Sequence, residues 1–333
     1  MNSIGMNAPV MNSNGPRVRV LIVNYNSGAW LQRCLAALCR QTLAAFEAHV
    51  VDNGSRDTSF AQARAAITDP RITFTALGDN LGFAAGNNRA AEGATAPFLA
   101  TLNPDAEPAP DWLERLLAAA DAHPEVALFG STQLDAADPA RFDGTGDRYF
   151  ALGLPWRGGH GRPAHAVPHL GRTFSPCAAA ALYRRDGFVA LGGFDPDFFC
   201  YIEDVDLAFR WRLRGGQVLQ VGDAVVHHAG GASAAPSGFA AYHGMRNLIW
   251  AFIKNMPAPL FWLLLPGHAA LLALLLARGV LQGNGAAVGR GLLHALVALP
   301  AVWRQRRAVQ AQRAVSSGTI AAALTWAPWR LRR

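Results

Sequence analysis

Residues 18–23, VRVLIV, form a β-branched run that stops at the polar NYNSG, and behind it Leu31, Cys34, Leu35 and Leu38 recur at three- and four-residue intervals. That change of period predicts a buried strand followed by an amphipathic helix, with Ser27 placed to cap it. The alternation then repeats. EAHVVD (47–52) ends at DNGSRD before a helix over 58–67, and RITFTAL (71–77) leads through the glycine-punctuated GDNLGFAAGNN into another helix. PFLATL (97–102) ends at NPDAEP before a helix with proline in its first turn, and VALFG (126–130) supplies a fifth strand. Strands alternating with helices predict an α/β fold: a Rossmann-like, mostly parallel sheet flanked by helices. Residues 131–173 are rich in Gly, Pro and Arg with little period, and read as a long connection lying over a site. Order returns as a strand and short helix over 177–199, and as two short strands over 215–231.

In such sheets ligands bind beyond the carboxyl ends of the strands. The polar residues collect there: Asn24 and Asn26 after the first strand, Asp52, Asn53 and Ser55 after the second, Asn80 after the third, Asn103 and Asp105 after the fourth. Each group taken alone has a bland reading, since Asp-Asn-Gly-Ser and Asn-Pro are ordinary turn compositions. Their shared position at one sheet edge points to a binding site.

The charge is divided along the chain. All 23 acidic residues lie at or before Asp223, so the first 223 residues net −4 and the remainder, with 11 bases and no acid, nets +11. That basic tail is interleaved with uncharged apolar runs at 256–277 and 291–303, which favours an anionic membrane surface over nucleic acid. The first run has the length of a bilayer span, about 20 residues. Pro257, Pro259, Pro266 and His268 interrupt it, however, and the second run is short. An interfacial or half-inserted helical hairpin, with arginines and Trp303, Trp326 and Trp329 at headgroup depth, therefore fits better than two spans. Cys34, Cys39, Cys177 and Cys200 show no metal spacing and read as buried thiols in a reducing compartment. Residues 1–16 are polar, lack an apolar signal core and are expected to be disordered.

The stretch YIEDVDLAFRWRLRGG (201–216) crowds Glu203, Asp204 and Asp206 ahead of an apolar, arginine-bearing helix. Carboxylates this close repel, so they serve either as helix-start charges or as chemistry. Hydride transfer on a Rossmann frame is excluded because the first strand–helix turn lacks GxGxxG, and Walker A, HExxH and GxSxG motifs are absent as well. A nucleotidyltransferase would need a glycine- and arginine-rich loop after the first strand, which NYNSG is not.

In order along the chain, LIVNYNSGAWLQRCL, VVDNGSRDTS, NLGFAAGNNRA, LNPDAEP, LGGFDPDFFCYIEDVDLAFRWRLRGG and VVHHAGGAS resemble the inverting glycosyltransferases of family 2, which have the GT-A fold. Within that family the likeness is to the rhamnosyltransferase-like branch of bacterial cell-surface polysaccharide synthesis. It covers residues 17–255, with 256–333 resembling the membrane-associating helical region common in that branch.

The resemblance implies transfer of rhamnose or a similar sugar from a nucleoside-diphosphate donor, dTDP or UDP rather than GDP. The acceptor would be a polyprenyl-diphosphate-linked or growing glycan at the cytoplasmic face of the plasma membrane, reached by a peripheral or monotopic enzyme. Asn24, Asn26, Asp52, Asn53, Ser55, Asn80 and Asn103 would bind the nucleotide sugar. Asp105 and His227 would hold Mg²⁺ or Mn²⁺, with neighbouring His228 as the alternative. Asn-Pro-Asp stands where the family pattern is Asp-x-Asp, so one ligand position is an amide and metal binding is expected to be weaker. Asp204 maps to the catalytic base, and one displacement with one base implies inversion. Glu203 would be an acceptor contact or a helix-start charge, Asp206 and Arg210 an i, i+4 pair. Arg246 would reach a diphosphate or a headgroup. A scaffold that kept the fold without the chemistry would have lost the base or the metal residue, and both are present.

Overall fold

The computed structural model describes residues 15–164, 169–230 and 238–330; most of the N-terminal stretch expected to be disordered lies outside them. The alternation seen in the sequence is realised as β1 (Val18–Asn24), α1 (Trp30–Cys39), β2 (Phe46–Asp52), α2 (Ser59–Ala66), β3 (Ile72–Ala76), α3 (Gly82–Ala91) and β4 (Phe98–Leu102). A short β5 (Ala106–Pro108), α4 (Trp112–Ala122) and β6 (Leu128–Asp135) follow. Strands β1 to β4 pair in parallel in the order β4-β1-β2-β3. Ser27 does not cap α1 through its side chain; its carbonyl instead accepts from the Trp30 N–H at 3.0 Å.

The segment 131–173 carries more order than its sequence announces. It holds β7 (Phe142–Gly144), a β8–β9 hairpin (Asp147–Phe150 and Leu154–Arg157) and β10 (Leu170–Arg172). Then come β11 (Ala180–Arg184), α5 (Arg185–Ala190), α6 (Glu203–Leu213) and β12 (Val218–His228). β11 lies between β4 and β6 and runs antiparallel to both, whereas β12 runs parallel to β6, so the sheet is mixed. The two short strands expected over 215–231 are one strand, β12, whose register against β6 shifts between Val221 and Val225.

One face of the sheet packs on α1 and α4 through Leu35, Leu38, Leu113 and Leu117; the other packs on α3, α5 and α6 through Ala84, Phe188 and Leu207. A third core joins the outer side of α6 to the rest of the chain: α7 (Phe239–Asn255), α8 (Ala258–Leu281), α9 (Gly285–Val297), α10 (Leu299–Ala311) and α11 (Ser317–Ala323). Tyr149 stacks there on Phe174 and meets Phe209 edge-on, in the same core as Phe252 and Phe261. The division expected at 255/256 thus falls between two helices that share a core.

α8 runs unbroken through Pro266, its start set by Pro257 and Pro259. It is long and apolar enough to cross a membrane, while α9 and α10 are bent by 62° where they meet. Trp262, Leu263, Leu274, Leu281, Leu293 and Val297 on these helices are exposed.

Candidate functional site

Parallel in-register pairing sets the first cluster. Asn24 and Asp52 end β1 and β2 at the same register position. The Asn24 amide donates to Asp52 Oδ1 at 2.8 Å, Ser59 Oγ at 2.9 Å and Ser55 Oγ at 3.0 Å. Asn26, in the left-handed region at φ 50°, accepts from the Arg56 N–H at 2.7 Å. Asn53 bonds Asn80 Oδ1 at 2.9 Å and the Gly82 carbonyl at 3.2 Å, and accepts from the Leu81 N–H at 2.9 Å. All these residues expected to meet the nucleotide, Asn103 apart, therefore form one connected edge over β1, β2 and the start of α3.

The second cluster forms where β5 pairs with β12, which sets His228 opposite Ala106. His228 Nε2 lies 3.2 Å from Asp105 Oδ1 and 3.4 Å from the Asn103 amide nitrogen, and its Nδ1 lies 2.7 Å from Asp143 Oδ2. His227, the sequence's first choice, is the neighbouring residue on a pleated strand and points to the opposite face. The geometry moves that candidacy to His228. Burial disfavours a charged imidazole, but the two carboxylates outweigh it and push His228 up to about 9. Asn103 Oδ1 is buried without a hydrogen-bond partner. Once His228 Nε2 gives up its proton, one carboxylate, one imidazole and one unpartnered amide oxygen make a donor set that suits Mg²⁺ or Mn²⁺.

The third cluster is the start of α6, where the three acids meet three fates. Glu203 is buried with Oε2 unpartnered, and burial followed by the charge of Asp204 holds it well above the usual carboxylate range. That environment disfavours its charged form, which weighs against a helix-start charge. Asp204 is half-buried and accepts from the Ala178 N–H at 2.9 Å and from its neighbour Val205 N–H at 2.8 Å. Burial raises its proton affinity and those two N–H groups partly offset the rise. Asp206 is fully buried among Arg210 at 2.8 Å, Lys254 at 2.9 Å and Asn255 at 2.8 Å. Burial pushes its carboxyl up, but the charges of Lys254 and Arg210 outweigh that and hold it below the ordinary value. It shapes the fold, as the i, i+4 pairing suggested.

Asp204 does not stand alone. Its carboxylate, Asp147 and the Cys177 thiol have ligand atoms within 4.8 Å of one another. Burial, then the charge of Asp204, pushes Asp147 up to about 8. Arg157 pairs with Asp143 at 2.7 Å, so Asp143 bridges the His228 and Arg157 sides of the site. Asp143, Asp147 and Arg157 all come from the segment read as a connection; their only signal was acid residues spaced among glycines in FDGTGDRYF.

A cavity of about 520 Å³ opens over Asp147, Glu203 and Asp204 and continues to Leu248, Leu275 and Arg278 on α7 and α8.

The approach to α6 is strained. Phe199 (φ 63°, ψ −64°) is the centre of a γ-turn closed by Cys200 N–H to Phe198 O at 2.7 Å, the rare φ-positive form. Tyr201 and Ile202 follow at φ 70° and 71°. The buried Asn247 amide donates to the carbonyls of Phe198, Cys200 and Tyr201 at 2.9, 2.8 and 2.7 Å. Arg246 donates to Asp197 and Phe198 carbonyls and stacks on Trp250, 4.4 Å from its ring centre. It thus holds this turn instead of reaching toward a diphosphate.

The family described as glycosyl transferase family 2 matches residues 19–191. An N-acetylglucosaminyl-diphospho-decaprenol L-rhamnosyltransferase of Mycobacterium tuberculosis is 28% identical over 79% of this chain and 94% of its own length. The O-antigen biosynthesis protein RfbC of Myxococcus xanthus is 30% identical over 64% of this chain and 17% of its own. Among solved structures, a mannosyltransferase of Pyrobaculum calidifontis in complex with GDP-Man and Mn²⁺ superposes with a TM-score of 0.55 at 22% identity, over 93% of this chain and 87% of that one. GalNAc-T7 with UDP, GalNAc and Mn²⁺ gives 0.58 at 15% identity, over 73% and 48%.

Proposed function

The chain belongs to glycosyl transferase family 2, and from that premise we propose that it transfers rhamnose or a similar sugar from a dTDP- or UDP-linked donor to a polyprenyl-diphosphate-linked glycan. Asp204 carries the reading: a half-buried carboxylate, aimed by two backbone N–H groups, opens on a cavity whose far wall is apolar helix. The mycobacterial relative, an N-acetylglucosaminyl-diphospho-decaprenol L-rhamnosyltransferase, supports the lipid-linked acceptor.

The acceptor hydroxyl attacks the anomeric carbon of the donor from the face opposite the diphosphate. Asp204 takes the hydroxyl proton as the new C–O bond forms, the bond from carbon to phosphate oxygen breaks, and the nucleoside diphosphate leaves with that electron pair. A single displacement inverts the configuration. The raised proton affinity of Asp204 favours it as the proton acceptor. Glu203, whose charged form burial disfavours and whose Oε2 has no partner, supplies a polar contact to an acceptor oxygen. The edge from Asn24 and Asn26 through Asp52, Asn53 and Ser55 to Asn80 receives the nucleoside. Asp105, His228 and the Asn103 amide oxygen would hold Mg²⁺ or Mn²⁺, whose charge offsets that building on the departing diphosphate.

The enzyme works on an anionic membrane at its cytoplasmic face, where nucleotide sugars are available; the exposed apolar residues of α8 and α9 and the acid-free, arginine-rich tail support this reading. The test is turnover of a dTDP-, UDP- and GDP-sugar panel with a lipid-linked N-acetylglucosamine acceptor. One donor is expected to release its nucleoside diphosphate, and Asp204→Asn is expected to bind that donor and transfer nothing. Full turnover by Asp204→Asn would remove the base assignment.

A further inference from the structure

The cavity above Asp204 changes character along its length. Its inner end is lined by Asp147, Glu203 and Asp204, and its outer end by Leu248 of α7, Leu275 of α8 and Val288 of α9. Two cations line it. Arg157 is committed to Asp143 at 2.7 Å. Arg278, in the last turn of α8, is exposed and makes no ion pair among the described residues, and no acidic residue follows Asp223 in the chain. Beside it, Gly279 is buried against Val288: a Cβ there would meet Val288 Cγ2 at 2.8 Å, so glycine is what lets α8 and α9 close on this end. The next two residues, Val280 and Leu281, are 62% and 88% exposed, which makes the apolar wall continuous with the outside of the helix. A ligand that fits this sequence of surfaces has a sugar at the carboxylates, an anion at Arg278 and a hydrocarbon chain leaving over α8.

We propose that the outer end of this cavity is the acceptor's polyprenyl-diphosphate site: Arg278 binds a phosphate, and Leu248, Leu275 and Val288 receive the first isoprene units. The proposal rests on the reading of the chain as a glycosyltransferase with a lipid-linked acceptor. A guanidinium suits this task because its planar fork of donors matches phosphate oxygens bidentately. It also explains why a cation without a carboxylate partner stands next to an apolar trough.

Anionic headgroups share the same chemistry, so the test separates the two sources. Calorimetric binding of farnesyl diphosphate to the full chain is compared between the wild type, Arg278→Ala and Leu275→Asn, with inorganic diphosphate as the probe lacking a tail. Arg278→Ala is expected to bind farnesyl diphosphate roughly tenfold to a hundredfold more weakly, the loss of a charged hydrogen bond. Leu275→Asn should weaken farnesyl diphosphate while leaving inorganic diphosphate unchanged. Both variants should sediment with phosphatidylglycerol vesicles as the wild type does. Unaltered farnesyl diphosphate affinity in Arg278→Ala overturns the proposal; so does a loss confined to vesicle binding, which would make Arg278 a headgroup contact. Donor turnover is measured separately on the same preparations. Farnesyl diphosphate binding that depends on Arg278 in a protein that turns over no donor would sink the catalytic reading and leave this site standing.

Discussion

Asn247 is the residue whose removal best tests how the fold holds Asp204, the proposed base. Its side chain is fully buried and offers two N–H groups to three carbonyls, those of Phe198, Cys200 and Tyr201. Phe199, Tyr201 and Ile202 each sit at positive φ, at a cost of roughly 1–3 kcal/mol apiece. The turn persists because α7 clamps it. In Asn247→Ala the Phe198 carbonyl keeps its bond from Arg246 at 2.8 Å, while those of Cys200 and Tyr201 lose their side-chain donor. Two buried acceptors left unpaired cost about 1–3 kcal/mol each. Part of that returns as the turn relaxes out of its strained backbone, so the net loss in unfolding free energy should be about 2–3 kcal/mol by urea denaturation. Turnover should suffer more than stability. Relaxation of 199–202 rotates the first turn of α6 and with it Asp204, and a misplacement of about 1 Å can cost on the order of a hundredfold. Donor affinity, proposed to be set on the β1–β2 edge, should hold. Asn247→Asp, which keeps the shape but replaces donors by a charge facing carbonyls, should fare no better than Asn247→Ala. If Asn247→Ala retained turnover within about twofold and stability within about 0.5 kcal/mol, the clamp would be incidental.

Three further outcomes follow from the same geometry. Asp206→Ala should cost about 3–5 kcal/mol, because it strands Lys254 and Arg210 without their buried partner; the lowered Asp206 carboxyl means that its contribution is present above about pH 4 and lost as pH falls through its folded value, which a pH series of urea midpoints against Asp206→Asn would show. Asp147, pushed up to about 8, has the opposite sign: its protonated form stabilises the fold fully below its ordinary value of 3.8, and that contribution is lost as pH rises toward 8. The Tm of Asp147→Asn should therefore gain on the wild type between pH 5 and 8, and parallel curves would remove the assignment. His228→Ala should raise the half-saturating Mn²⁺ concentration at least about tenfold while His227→Ala leaves it in place; equal effects would return the two histidines to parity.

The alternation of strand and helix, the polar sheet edge and the three acids were legible because each is local. The meeting of Asn24 with Asp52 follows almost automatically once β1 and β2 are parallel and in register, since both residues end their strands. The choice of His228 over His227 was not local. Between Val221 and Val225 β12 advances four residues while β6 advances one, from Ser131 to Thr132. The three extra residues are an odd number, so the side of β12 that packs toward α1 and α4 changes parity across the bulge, from Val221 before it to Val226 after it, and the histidine that meets Asp105 depends on that shift. Asp143, Asp147 and Arg157 were hidden for a different reason. They lie in or beside strands of three or four residues, too short to show a period of two, in a segment whose glycines read as loop. Arg246 was seen at the right seam, but its partners are backbone carbonyls 48 and 49 residues away, which no side-chain pattern announces.

The crowding of Glu203, Asp204 and Asp206 raises an electrostatic problem that the fold solves in three different ways within one helical turn. At Glu203, burial with Oε2 left unpartnered disfavours the charged form. Asp206 keeps its charge and is neutralised by two cations, one of them Lys254, the only lysine in the chain. Asp204 has neither remedy in full: the charge of Arg157 offsets only part of the effect of burial. It keeps partial exposure to the cavity and two backbone N–H bonds, enough to fix its direction but not enough to satisfy it. A carboxylate that is oriented, incompletely stabilised and open to a cavity is poised to take a proton. Placing a second cation beside it would lower its proton affinity and weaken it as a base. The pairing of Lys254 and Arg210 with Asp206 on the buried side of α6 therefore serves Asp204 too, since it spends the nearby positive charge where it cannot quench the base.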